Sequence, residues 1–142
     1  MAVGFYITQA IAQSIATTVE TALDAGTAAI FTIYDGSVPA DADASIGASN
    51  ILATLLCDAT SIASKVDDTP GVLMTFDTIT SNTVAMTGTA SYFRILTQSA
   101  GTVCCQGTVG VGTFDLVLNT VSLTASSNIS ISSATIFVPE GP

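Results

Sequence analysis

The chain has 142 residues, 49% of them apolar and only 9% charged, and its eleven acids face two cations, Lys65 and Arg94, for a net charge of −9. Two separated cations cannot neutralise a run of phosphates or an anionic headgroup layer, so no nucleic acid and no membrane is expected among its partners. Histidine and tryptophan are absent, which removes the usual general base of a serine or cysteine nucleophile and the broadest aromatic platform for a sugar.

The length suits one globular unit, read as an N-terminal helical segment (residues 1–26) followed by a β-sandwich domain (residues 27–142). Ordinary domains carry about 25% charged residues. The low charge here predicts surface covered by other subunits, a homo-oligomer (dimer or trimer) of this chain among them. The opening MAVGFYITQ lacks the basic region that precedes the apolar core of a secretion signal, and synthesis in a reducing cytoplasm is expected.

Ile7, Ile11, Ile15, Val19 and Leu23 recur every four residues and read as the apolar stripe of an amphipathic helix, with Gln9, Gln13, Thr17, Glu20 and Asp24 opposite. Thr8 near the start and Gly26 past the end predict a helix over residues 9–25. The polar side chains within it argue against a membrane span. Glu20 and Asp24 sit at the end of the helix dipole that disfavours anions, and a solvated face is the expected explanation, with a nearby cationic partner as the alternative.

Residues 28–34 then read as a strand with Phe31 and Ile33 on one face and Ile30, Thr32 and Tyr34 on the other. Residues 37–50, small and polar, predict a loop wandering over the surface. Residues 51–57, 72–76 and 83–86 are further strands, and residues 61–66 are ambiguous. Along residues 91–97, Phe93 and Ile95 share the face expected to enter the core, while Tyr92, Arg94 and Leu96 share the other. Residues 98–101, with Gly101 able to take a positive φ, turn the chain back along residues 102–106. Phe114, Leu116 and Leu118 repeat the period of two, Ile129 and Ile131 do so among serines, and the last run ends at Pro139. About eight strands with no interleaved helix predict a mainly β fold: an antiparallel β-sandwich or jelly roll with one N-terminal amphipathic helix.

Several stretches invite a chemical reading that their details oppose. Asp35, Asp41 and Asp43 lack the ordered ligand spacing of a calcium loop and read as solvated acids. Asp67 and Asp68 precede Thr69-Pro70-Gly71, a turn sequence. Gly107, Gly110 and Gly112 lie in GTVGVG, which lacks the order and the lysine of a phosphate cradle and reads as a bend between strands. Cys57, Cys104 and Cys105 have no metal-ligand spacing and read as reduced, structural thiols. No catalytic residue, cofactor or metal is assigned, and the chain is expected not to be an enzyme.

IYDGSVPADAD, ILATLLCDAT, TGTASYFRIL and TVGVGTFDLVLNTVSLTASSNISISSATIFVP together resemble a family of small virion structural proteins of tailed bacteriophages. In that family a helix leads into a strand ending in a Tyr-Asp-Gly or similar turn. A late strand, a D-L-x-L-N segment and a Ser/Thr-rich final strand follow, which here match residues 88–94, 115–119 and 135–139. Cys104 and Cys105 depart from the pattern. The resemblance implies a protein of the virion, at the capsid surface: a capsid decoration or cement protein bound across neighbouring subunits of the major capsid protein. A neck or tail component, such as an adaptor or small fibre module, is the alternative, and a host-surface or glycan-binding module ranks third. The expected attachment residues are Ile7, Ile11, Ile15, Val19 and Leu23 on the helix and Val38 and Pro39 in the loop.

Overall fold

In the computed structural model, which describes residues 4–98 and 101–141, helix α1 spans Gln9–Leu23. Thr8 is extended, and its hydroxyl oxygen accepts from the Ile11 N–H at 3.4 Å, as a capping residue should. The helix stops two residues short of the expected end. Asp24 is the reason, because its carboxylate accepts from the Ser61 N–H at 2.8 Å and ties the helix terminus to the neighbouring chain. Gly26 then turns with φ +90°.

Twelve strands follow: β1 (Ala29–Tyr34), β2 (Ile51–Leu56), β3 (Ile62–Asp67), β4 (Gly71–Phe76), β5 (Asn82–Thr83), β6 (Gly88–Thr89), β7 (Tyr92–Thr97), β8 (Val103–Gly110), β9 (Leu116–Val117), β10 (Ser122–Leu123), β11 (Asn128–Ile129) and β12 (Thr135–Pro139). The fold is mainly β, a sandwich with one helix. The excess over eight comes from β5, β6, β9, β10 and β11, each two residues long. One sheet runs β2-β1-β7-β8-β9 and the other β12-β4-β3, with β10-β6 and β11-β5 as short ribbons. The named strands pair antiparallel except β8 with β9, which run parallel. Of the expected turn at residues 98–101, Ser99 and Ala100 lie outside the described residues, and Gly101 has the positive φ of +61°.

The two main sheets face each other through aromatic rings. Phe31 of β1 meets Phe76 of β4 edge-on, with centroids 5.0 Å apart, and stacks on Phe93 of β7 at 5.8 Å. Phe93 and Ile95 are both buried, as the alternation along β7 requires. Helix α1 packs on β3, β4 and β12 of the smaller sheet and on β7 and β8 of the larger, so its buried side belongs to the same core.

That buried side is not the isoleucine stripe. Ala12, Ala16 and Leu23 are fully buried, whereas Ile11 and Ile15 are 50% and 42% exposed, and Ile7 and Val19 are half-buried. A four-residue step overshoots one helical turn by about 40°, so five such positions sweep roughly 160° and cannot share a face. Alanines let the helix come close to both sheets, and Ile11 and Ile15 are carried round to the outside.

GTVGVG also departs from expectation. Gly107 and Gly110 lie within β8, and only Gly112, at φ +104°, is outside it. A Cβ on Gly107 would stand 2.7 Å from Cε1 of Phe93 and 2.9 Å from Cβ of Asp115. The glycine is there to let a core ring cross the strand. Phe114, expected to share a strand face with Leu116 and Leu118, lies outside β9 and is half exposed, over Gly110, while Leu116 and Leu118 enter the core.

Candidate functional site

The outer face of the five-stranded sheet carries Thr32 and Tyr34 from β1, Tyr92 and Arg94 from β7 and Gln106 from β8. Tyr34 and Tyr92 stack with centroids 4.9 Å apart and planes 7° from parallel. Residues 37–50 close over this face as a strap. Arg94, only 5% exposed, holds its middle: Nη2 donates to the Ala44 carbonyl at 2.6 Å and to that of Asp41 at 3.4 Å, and Nε donates to Oε1 of Gln106 at 2.9 Å. Gln106 in turn donates from Nε2 to the Pro39 carbonyl at 3.0 Å. Loop carbonyls need donors, and a guanidinium offers five in a fixed plane. The expected wandering loop is therefore corrected to a fastened one, and Arg94 is a buried latch.

The strap is also clamped at its ends. Asp35 accepts the backbone N–H of Asn50 at 2.6 Å on Oδ1 and its side-chain amide at 3.0 Å on Oδ2, while Ser91 donates its hydroxyl to the Gly36 carbonyl at 2.7 Å. These donors hold the Asp35 carboxyl below the usual carboxylate range, the Asn50 N–H contributing most. Inside the strap, Asp41 Oδ1 accepts from the N–H groups of Asp43 at 3.0 Å and Ala44 at 2.8 Å. Of the two residues expected to make contacts here, Val38 is 44% exposed and Pro39 half-buried. Tyr34, beneath, has its phenol pushed up, chiefly by burial and then by Tyr92.

The helix residues expected to bind a partner fall on another side of the molecule, since the strap covers the outer face of the large sheet and α1 packs on the sandwich core. Leu23 is withdrawn from that set, because the core of its own chain takes it. What remains exposed on α1 is an arc without one ionisable side chain: Ala10, Ile11, Ser14, Ile15, Thr17, Thr18, Thr21 and Ala22. The four hydroxyls in it donate back into the helix. Ser14, Thr17 and Thr18 reach the carbonyls of Ala10, Gln13 and Ser14 at 3.0 Å, and Thr21 reaches that of Thr17 at 2.9 Å. Their donors are used locally, so the face presents mostly carbon. The sequence held this signal in the four-residue spacing of small hydroxyl residues, which an apolar-stripe reading passes over.

The remaining polar chemistry is local. Glu20 pairs with Lys65, which corrects the expected solvated face and satisfies an acid at the unfavourable end of the dipole. Asp115 accepts from the N–H and hydroxyl of Thr108, both at 2.8 Å, and these bonds lower its pKa. Asp67 accepts from the Thr69 hydroxyl in the turn joining β3 to β4, and Asp68 N–H donates to the Gly71 carbonyl at 2.9 Å. The three thiols are free. Burial pushes Cys57 up to about 12 and Cys105 to about 11, and raises Cys104 as well, so at neutral pH all three are protonated and poor nucleophiles.

Two of the surface hollows touch the core or the helix, and another, of 420 Å³, lies within the strap beside Val38 and Pro39. The first, of 380 Å³, opens between β8, β9 and β12 onto Phe31, Phe76 and Phe93, with Asp115 and Cys105 as its titratable groups. The second, of 460 Å³, separates α1 from the end of the β7–β8 hairpin and is lined by Val19, Ala22, Ala25, Val103 and Cys104 among others. The first mixes polar and apolar lining, and only the second, beside α1, is mainly apolar and suits contact. Among the described residues no three metal-ligating side chains converge, and no helix is long and apolar enough to cross a membrane. No family model, curated protein or solved structure matches this chain.

Proposed function

We propose that this chain is a structural protein of a tailed-bacteriophage particle, a head decoration protein that docks across neighbouring subunits of the major capsid protein through its strap. The observation that carries the reading is the fastening of residues 37–50: clamped at Asp35–Asn50 and latched at Arg94, the strap presents Val38 on a backbone already held in place. A preorganised loop loses little conformational entropy on docking, so a small contact suffices. Copies repeated over a regular shell then turn a weak contact into firm attachment. The sandwich beneath, knit by Phe31, Phe76 and Phe93, is a stiff mount. The identity of the partner rests on the family resemblance of the sequence.

The test is the copy number of this protein in purified particles, by quantitative mass spectrometry against the major capsid protein. Copies comparable in number to the shell subunits support decoration. A handful per particle overturns it in favour of a neck or tail component, and complete absence removes the virion reading altogether. Within decoration, Val38→Asp should lower occupancy on the shell while leaving the melting curve unchanged; unchanged occupancy would move the contact off the strap.

A further inference from the structure

We infer that α1 is a self-association surface: the helices of two copies pair antiparallel about a two-fold axis. The inference goes beyond the strap and does not depend on it. Thr8, Ile11, Ile15, Thr18, Ala22 and Ala25 are all exposed. Within α1, Ile11, Ile15, Thr18 and Ala22 are spaced four, three and four, which is the seam along which one helix packs on another, and Thr8 and Ala25 flank it just outside the helix. The large side chains of this seam, Ile11 and Ile15, lie toward its first half and the small ones, Ala22 and Ala25, at its end. An antiparallel partner centred between positions 15 and 18 sets Ile15 against the partner's Thr18 and Ile11 against the partner's Ala22, each pair occurring twice. At each end bulk meets hollow, and the larger member of each pair faces a smaller one, as a two-fold contact requires of one surface.

The hollow is physical. The 460 Å³ groove begins where Ala22 and Ala25 leave room and is walled on its far side by Val103 and Cys104. In the antiparallel register Ile11 of the other copy reaches this end of α1. Ala10, Ser14, Thr18 and Ala22 also form an unbroken run of small residues at four-residue spacing, which allows close approach of the two backbones.

Charge identifies the occupant as a second copy. The chain has a net charge of −9, and its two cations are committed within the molecule, Lys65 to Glu20 and Arg94 beneath the strap. A second copy brings no spare cation to offset acids, so copies can meet without repulsion only on a face that has none. The exposed arc of α1 carries no ionisable side chain of its own and meets charge only at its Thr17 edge, where the Lys65 ammonium, already paired with Glu20, donates to the Thr17 hydroxyl at 3.2 Å; the arc's hydroxyls make no demand on the partner because they donate to their own helix. Size sets the extent of the contact. A fifteen-residue helix is about 22 Å long and about 10–12 Å wide, whereas a stable interface takes about 800 Å² from each partner. The helix seam falls short alone, so the groove wall at Val103 and Cys104 belongs to the interface, and the dimer is of modest affinity.

The test uses the full chain in sedimentation equilibrium from low to high micromolar concentration. Wild type should dimerise. Ile11→Glu should weaken the dimer at least tenfold, because it places a carboxylate in the partner's alanine hollow. Adding Ala22→Lys in the same chain should restore dimerisation, since each new carboxylate then meets an ammonium of the other copy. Positions 11 and 22 of one helix are about 16 Å apart along its axis, too far for the pair to form within one chain. A wild type that stays monomeric throughout overturns the inference, as does a dimer indifferent to Ile11→Glu, and a double variant that stays monomeric overturns the antiparallel register. Far-ultraviolet circular dichroism checks folding, and should Ile11→Glu unfold, Thr18→Glu on the same exposed seam replaces it. Shell occupancy through Val38 is measured separately, so this inference and the decoration reading fail independently.

Discussion

Replacing Arg94 by methionine keeps most of the side chain's length and removes every donor. Three hydrogen bonds from a charged donor are lost, those at 2.9 Å to Gln106 and 2.6 Å to Ala44, at about 1.5–3 kcal/mol each, and the long one at 3.4 Å to the Asp41 carbonyl, which adds little. The Gln106 and Ala44 oxygens are left without that donor. Against this loss, the hydrogen-bond partners of Arg94 are carbonyl oxygens with no carboxylate among them, so the buried cation carries a desolvation cost of several kcal/mol that the substitution relieves. The net loss should be about 1–3 kcal/mol, lowering Tm by roughly 3–10 °C. The decisive assay is hydrogen exchange resolved by residue. The Asp43, Ala44 and Asn50 amides, bonded to the Asp41 and Asp35 carboxylates, should exchange much faster than in the wild type, beyond any change in the β1 and β7 ladder. Arg94→Lys should behave almost as badly, since one ammonium cannot reproduce the planar fork that serves Gln106 and Ala44 together. A lowered Tm with strap exchange rising only in step with the core would refute the latch and leave Arg94 as mere filling.

Gly107→Ala should cost about 1–3 kcal/mol, because Phe93 is stacked on Phe31 and cannot yield. Gly110→Ala should cost less, since the ring over it, Phe114, is half exposed and can swing out; equal shifts of the two urea midpoints would contradict that contrast. Raising the pH should destabilise the fold in the window set by the thiols. Cys57 and Cys105 have folded values pushed up to about 12 and about 11, so the unfolded chain loses these protons first, from about pH 8.5. Their contribution is complete below that pH and is lost as the pH climbs through the folded values. A Cys57→Ala, Cys105→Ala variant should show a flatter fall of Tm in that window, and an unchanged slope would rule the thiols out. Deleting residues 1–26 should unfold the chain, because it strips Ala12, Ala16 and Leu23 from the shared core. A cooperatively melting remnant with the wild-type Tm would show that the sandwich stands alone.

Periodicity worked where one residue type faced one environment for several positions. The alternation of residues 91–97 identified Phe93 and Ile95, and Thr8 marked the helix start, because both patterns are local and sterically enforced. It worked less well at two kinds of place. The two-residue strands are too short to show a period, and Gly107 and Gly110 look like a bend until Phe93 and Phe114 are seen against them. The strap could not be read at all. Arg94 is separated from Ala44 by fifty residues in sequence, and an arginine held by main-chain carbonyls leaves no mark at their end, because every residue has a carbonyl.

The helix shows how a failed pattern can still inform. Ile11 and Ile15 satisfied the arithmetic of an apolar stripe, yet Ala12 and Ala16 took the core because a four-residue step drifts round the helix and carries Ile11 and Ile15 away from the sheets. Large apolar side chains left outside a core expose area worth about 25 cal/mol per Å² to any partner that covers it. On most surfaces charges would interrupt such an area, but this chain has few, and the acids of α1, Glu20 and Asp24, are engaged by Lys65, whose ammonium borders the arc at the Thr17 hydroxyl, and by the Ser61 N–H. The uncharged arc follows from the same economy of charge that fastens the strap with a single arginine. A variant that restored ordinary charge to the arc, Ser14→Lys with Thr21→Glu, should leave Tm within about 0.5 kcal/mol of wild type in free energy, because both positions are exposed. It should also reduce self-association measured by sedimentation. If the same variant lost stability by several kcal/mol, the arc would be carrying a structural duty within its own chain, and its freedom from charge would need no second copy to explain it.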